Sequence, residues 1–294
     1  MASSSSDASG GTGGPQTVEV TATDGAGRST TTTVRYSDTG KGRPLVLLHG
    51  VGLDARHISW KHAIPHLADD RRVIAPDLPG HGDSDKPNIR YTTDYYVDVV
   101  SGLVEELDLN QPSVAGISMG GAIALGYALA EDVERLALVD SYGLGADASW
   151  RPMASVALRV PVMDQFVWNT MGVNEGTVRD TLRGYMTNAS EEFVSEVHDV
   201  LQDDACGRTL RRWQRSEFGA CGFRTCYLDD LSELSVPTLL VHGDDDTLLP
   251  TSWSERAHDR LPDSRLHVFE DCGHWPPRER PATFNRVLAD FLAS

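Results

Sequence analysis

The chain has 294 residues, 40% of them hydrophobic, which suits one large α/β domain with an insertion and excludes disorder over most of its length. Its 26 basic and 43 acidic residues give a formal charge of −17, which argues against nucleic acid or an anionic membrane as partner, since both need a basic face. The longest near-continuous apolar stretch, around 119–130, is far short of the ~18 residues of a membrane span.

Residues 1–16, rich in Ser and Gly, read as a flexible tail. They lack the basic and apolar regions of a secretory signal, so a cytoplasmic protein is expected. TVEVTAT (17–23) and STTTTVRY (29–36) alternate in polarity around Asp24-Gly25, which predicts an antiparallel hairpin. LVLLH (45–49) is a fully apolar run, as in a strand covered on both faces. A helix is predicted at 57–68, a strand at 72–77, a helix at 93–107 and a strand at 113–117. A helix at 119–130 and the strand LALVD (136–140) follow. Such alternation means βαβ units and a parallel sheet. It stops between about 143 and 235, where the chain is polar, helix-like and without an apolar strand. It resumes with TLLVHG (238–243), a helix near 252–261, LHVFE (266–270) and a last helix at 281–292. The expected domains are therefore a core in two parts, 17–142 and 236–294, interrupted by a helical insertion at 143–235, too long for an ordinary loop.

The sharpest chemical signal is Gly116-Ile117-Ser118-Met119-Gly120-Gly121 between an apolar strand and an apolar helix. A G-x-S-x-G sequence there turns the chain sharply and presents the serine at a helix N-terminus, where unpaired amides and the helix dipole favour developing negative charge. Serine then needs a base, and the base an orienting acid. Of ten histidines, His274 in DCGHWPP is the expected base, because it lies between the last strand and the last helix, where strand ends gather. His49 suits a structural or oxyanion-loop role and His81 a turn. For the acid, Asp244, Asp245 and Asp246 in HGDDDTLLP compete with Asp140 at the end of LALVD, and spacing alone does not separate them.

The segments HGVG, APDLPGHGDSDKP, GISMGG, HGDDDTLLP and GHWPP, in that order, resemble the α/β-hydrolase fold superfamily from Thr17 onward. The resemblance implies a mostly parallel sheet with helices on both faces and a helical cap at 143–235. It favours Asp246 as the acid, and an oxyanion hole from the backbone amides of Met119 and Val51, with Gly52 as a possible substitute. A serine at the elbow sets the chain apart from dehalogenases and epoxide hydrolases of this fold, which use aspartate. The expected reaction is hydrolysis of a small-to-medium carboxylic ester or lactone through an acyl-enzyme, without metal or organic cofactor.

The C-terminal GHWPPRERPATFNRVLADFL is similar to hydrolases of vinylogous diketones from aromatic-ring degradation, which makes carbon–carbon cleavage the first alternative. Those enzymes carry an HGxGPG loop and an asparagine near the serine, whereas this chain reads HGVGLD with Ile117 before Ser118. A perhydrolase and a non-catalytic ligand receptor are the others. The expected partner is a small molecule.

Lys41, Lys61 and Lys86 are the only lysines. An acidic, lysine-poor surface is expected of a high-salt cytoplasm, where salt screens self-repulsion, and an ordinary acidic enzyme is the plainer reading. Cys206, Cys221, Cys226 and Cys272 show no zinc or CxxC spacing, though Cys221 and Cys226 could pair in an oxidising compartment. Trp150, Trp168 and Trp213 are expected either to line an acyl pocket or to hold the insertion to the core. The Arg211-Arg212 pair is expected on a solvated helix face rather than against a substrate carboxylate.

Overall fold

The computed structural model describes residues 14–148, 173–219 and 222–294, which leaves Trp150, Trp168 and Cys221 outside the described residues. The hairpin forms as the alternation predicts, with β1 (Gln16–Thr23) antiparallel to β2 (Ser29–Thr39), one residue before the expected start. Asp24 closes the turn by accepting the amides of Ala26 and Arg28.

Six apolar segments become strands: β3 (Arg43–Leu48), β4 (Arg71–Pro76), β5 (Ser113–Ile117), β6 (Leu136–Val139), β7 (Thr238–Gly243) and β8 (Ser264–Phe269). One sheet results, in the order β1-β2-β4-β3-β5-β6-β7-β8. β2 meets β4 antiparallel, and every pairing from β4 to β8 is parallel. From β3 to β7 the apolar runs are covered on both faces and successive residues feed opposite cores, whereas the edge strand β8 is largely open on its sides. Val46, Leu48 and Ile74 join the cluster under α3 (Thr93–Glu106), α4 (Met119–Ala130) and α8 (Thr251–Arg260). Leu45, Leu47 and Val73 join the other, under α1 (Arg56–Ser59), α2 (Ala63–Leu67) and α9 (Pro281–Ala293).

The single helix expected at 57–68 is in fact these two short ones, α1 and α2. Pro65 has no N–H to donate to the carbonyl of Lys61, so a continuous helix cannot close there. As the third residue of α2, where no donor is required, it is tolerated.

The insertion leaves from the carboxyl end of β6. Its described part holds α5 (Glu175–Leu182), α6 (Glu191–Leu201) and α7 (Asp204–Glu217), whose N-termini are capped by Asn174, Ser190 and Asp203. Glu217 ties α7 to the core. Fully buried, it accepts the Thr93 amide at 2.9 Å and the Tyr142 and Thr225 hydroxyls at 3.2 and 2.6 Å. Among the described residues no helix is long and apolar enough to cross a membrane.

Candidate active site

Ser118 sits where β5 ends and α4 begins, with φ 56° and ψ −119°, a conformation that costs a non-glycine residue about 1–3 kcal/mol. The sequence supports the turn through close approach. A Cβ at Gly116 would fall 2.0 Å from the Gly120 carbonyl oxygen, and one at Gly120 would fall 2.3 Å from that of Leu48. The Ser118 amide donates to the Val139 carbonyl, and its own carbonyl accepts from Gly121 and Tyr142. The serine backbone is thus fixed to β6 and α4 while its side chain borders a cavity.

His274 borders the same cavity from the loop after β8. Its Nδ1 lies 2.7 Å from Asp246 Oδ2. An ionised carboxylate only accepts, so Nδ1 is the donor and Nε2 is the basic nitrogen of the neutral ring. The direct bond from Ser118 to His274 is not made among the described residues; such contacts commonly tighten only with substrate in place. Burial opposes charge on His274, but the Asp246 carboxylate raises its pKa above the ordinary 6.5. Burial likewise opposes the Asp246 charge, and the neighbouring imidazoles of His274 and His242 outweigh it, holding that carboxyl well below its usual range.

The four aspartates separate clearly. Asp246 Oδ1 accepts the amides of Leu248 and Leu249, which turns Oδ2 toward His274. Asp244 and Asp245 are exposed, and neither caps α8, whose N-cap is Pro250. Asp140 is buried beside His242 and accepts the Gly243 amide through Oδ1. It makes no hydrogen bond to His274 among the described residues. Burial pushes the Asp140 carboxyl up to about 7. For His242, hydrogen bonding with Asp246 and the charge of Asp140 outweigh burial and push it up to about 9. Ligand atoms of Asp140, His242 and Asp246 fall within 4.8 Å of one another. Yet His242 Nε2 donates to the Leu249 carbonyl, and Asp246 is already committed to three donors. The cluster is a hydrogen-bonded one in this arrangement.

The loop after β3 is pinned peptide by peptide. A Cβ at Gly50 would lie 3.4 Å from Ser118 Cβ, so this loop passes beside the serine. The Gly50 amide donates to Asp54 Oδ2 at 2.6 Å, and the Gly50 carbonyl accepts from His49 Nδ1 at 2.6 Å. His49 Nε2 in turn accepts the Leu78 amide, so that ring is neutral, as burial, which pushes it down to about 3, requires. In a trans peptide the Val51 N–H points opposite to the Gly50 carbonyl. Neither that amide nor the Met119 amide is used in a protein hydrogen bond among the described residues. Gly52 corrects an expectation: its amide donates to His81 Nε2 at 3.2 Å and is not available as a substitute donor. His81, expected to shape only a turn, therefore reaches the loop after β3, and Asp54 was not singled out at all.

The cavity has a volume of about 280 Å³, and Leu210, Arg211 and Trp213 of α7 form part of its wall with Tyr142, Phe218 and Trp275. Arg211 is thus not on a solvated face, contrary to the sequence reading; the neighbouring Arg212 donates to the Ile89 carbonyl instead. Trp213 lines the cavity and also packs edge-on against Tyr142 at 5.3 Å, tying α7 to the core.

A family model described as "Alpha/beta hydrolase family" matches residues 45–287. Over 267 residues the chain is 30% identical to the 2-hydroxy-6-oxo-2,4-heptadienoate hydrolase of Pseudomonas putida, covering 87% of this chain and 91% of that protein. Among solved structures, a meta-cleavage product hydrolase from Pseudomonas fluorescens matches with TM-score 0.75 and 27% identity, covering 93% of this chain and 97% of that one. A thermophilic esterase from Thermogutta terrifontis matches with TM-score 0.73 and 26% identity, over 95% and 98% of the two chains.

Proposed function

Because the chain belongs to the alpha/beta hydrolase family, we propose that it is a serine hydrolase that cleaves the carbon–carbon bond of a 2-hydroxy-6-oxo-dienoate. The observation that carries this reading is the 30% identity, across nine-tenths of its length, to a relative named for such a substrate. It reverses the order of the two reactions expected from the sequence.

In this reading Ser118 attacks the C6 carbonyl, His274 takes its proton through Nε2, and Asp246 holds the imidazole in the required tautomer. The Val51 and Met119 amides receive the oxyanion, each donor worth about 3 kcal/mol. A carbon leaving group must first be made stable. Protonation of the dienol at C5 leaves ketones at C2 and C6, after which the C5–C6 bond can break with its electrons delocalised toward the C2 carbonyl. Water then releases the acyl group from Ser118. A substrate of this kind carries a carboxylate, and Arg211 on an otherwise largely apolar wall is its fitting partner. The insertion at 143–235 serves as the cap, with α7 selecting the substrate.

The test compares kcat/KM for 2-hydroxy-6-oxo-2,4-heptadienoate and for a p-nitrophenyl ester. The dienoate is expected to exceed the ester by at least about a hundredfold, ~2.7 kcal/mol in transition-state stabilisation. The opposite ranking would favour ester hydrolysis, the second reading, which the likeness to the Thermogutta terrifontis esterase supports.

The acid limb of the pH profile follows from the raised pKa of His274. Only the neutral imidazole can accept the serine proton, so kcat/KM is expected to rise with pH and to have its midpoint above 6.5. Removing the Asp246 charge takes away the interaction that raises it, so the midpoint in Asp246→Asn should move down. A midpoint unchanged by that substitution would contradict the pairing.

A further inference from the structure

Asp54 is fully buried, borders no part of the reaction just described, and is engaged on both carboxylate oxygens. Oδ2 accepts the Gly50 amide at 2.6 Å and the Ser59 hydroxyl at 2.5 Å. Oδ1 accepts the amides of Ala55 and Ser59 at 2.8 and 3.1 Å. Ser59 Oγ, while donating to Asp54, accepts the Trp275 indole N–H at 3.0 Å. Trp275 follows His274 in the chain and stands edge-on to its ring, with centroids 5.1 Å apart. An unbroken path of hydrogen bonds therefore runs from the loop that presents the Val51 amide, through Asp54 and Ser59, to the residue beside the base. Arg278 Nη1 adds a parallel tie to the Ile58 carbonyl at 2.6 Å.

We propose that Asp54 is a positioning residue that locks the oxyanion loop and the His274 loop into one rigid unit through Ser59 and Trp275. A buried carboxylate suits this task because it can gather four donors from three residues of one tight loop and its helix, where a serine or amide side chain would satisfy fewer. Asparagine at the same place turns one acceptor into a donor that faces either the Gly50 amide and the Ser59 hydroxyl or the amides of Ala55 and Ser59, so the loop must shift to relieve the clash. Burial pushes the Asp54 carboxyl up, and its four donors work against that. The consequence is felt in the transition state, where a displacement on the order of 1 Å costs about a hundredfold in rate.

The proposal rests on the serine-hydrolase reading, and its test needs no knowledge of the natural substrate. The intact protein is labelled with a fluorophosphonate, whose phosphonylation of Ser118 uses both the base and the oxyanion hole, and kinact and KI are measured separately. Asp54→Asn is expected to lower kinact about a hundredfold with KI changed less than about threefold. Ser59→Ala and Trp275→Phe are each expected to lower kinact about tenfold, and the double variant by no more than either alone, because both cut one path. Should Asp54→Asn not fold, the Ser59 and Trp275 pair decides alone. Losses that multiply in the double variant, kinact within twofold of wild type in folded variants, or a loss confined to KI would each overturn the proposal. A wild-type chain that is not labelled at Ser118 overturns the hydrolase reading as well, whereas normal labelling in wild type with unaffected variants overturns only the role of Asp54.

Discussion

Replacing Ser118 by alanine is expected to lower kcat by about 10⁵–10⁶ while leaving the fold intact. The serine contributes little to packing: its amide and carbonyl make the hydrogen bonds that hold the elbow, and alanine keeps both. The positive φ is borne by any residue at this position, so alanine adds no strain beyond that already present. Without the hydroxyl there is no nucleophile to form the acyl-enzyme, and only the oxyanion amides and the binding wall continue to act. Steady-state kinetics alongside a thermal melt checks this. Residual turnover within tenfold of wild type would end the covalent mechanism.

The second large effect concerns the acid. Asp246→Asn preserves shape and can still meet Nδ1, but it removes the charge that stabilises the imidazolium and can favour the wrong tautomer. A loss of about 10³–10⁴ in kcat is expected. Asp244→Asn and Asp245→Asn, both on exposed side chains, should each cost less than about tenfold, ~1.4 kcal/mol. Asp140→Asn can keep accepting the Gly243 amide and does not touch His274, so it too should fall in the smaller class. Kinetics of the four variants side by side decide the matter; a large loss in Asp140→Asn together with a small one in Asp246→Asn would move the acid to the end of β6.

The order of strands and helices was legible because parallel strands buried on both faces must be apolar along their length, and 45–48, 114–117, 136–139 and 239–241 are. The elbow was legible because the close approach of Gly116 and Gly120 to backbone admits no side chain, which leaves glycines as a local mark. What escaped the sequence was settled by contacts between distant segments. Gly52 was excluded as an oxyanion donor by His81, 29 residues away, and nothing around either residue signals that bond. Arg211 and Arg212 are adjacent, so only the rotation of α7 against the core decides which one meets the cavity. Asp54 lies in a stretch without periodicity, and its role depends on Trp275, 221 positions further along the chain than Asp54 (275 − 54). That Asp246 rather than Asp244 or Asp245 meets His274 agrees with the position the family resemblance favoured, and the turn in which its Oδ1 accepts the Leu248 and Leu249 amides supplies the physical reason.

The central claim is that Ser118 is the nucleophile of this chain, activated by His274. Mass spectrometry of the intact protein after brief exposure to a fluorophosphonate tests it most directly, followed by peptide mapping. The expected result is a single adduct on Ser118, absent from Ser118→Ala and formed at least about a hundredfold more slowly in His274→Ala, the scale of a general base's contribution. No adduct on the folded wild-type protein, or an adduct on another residue that persists in Ser118→Ala, would contradict it.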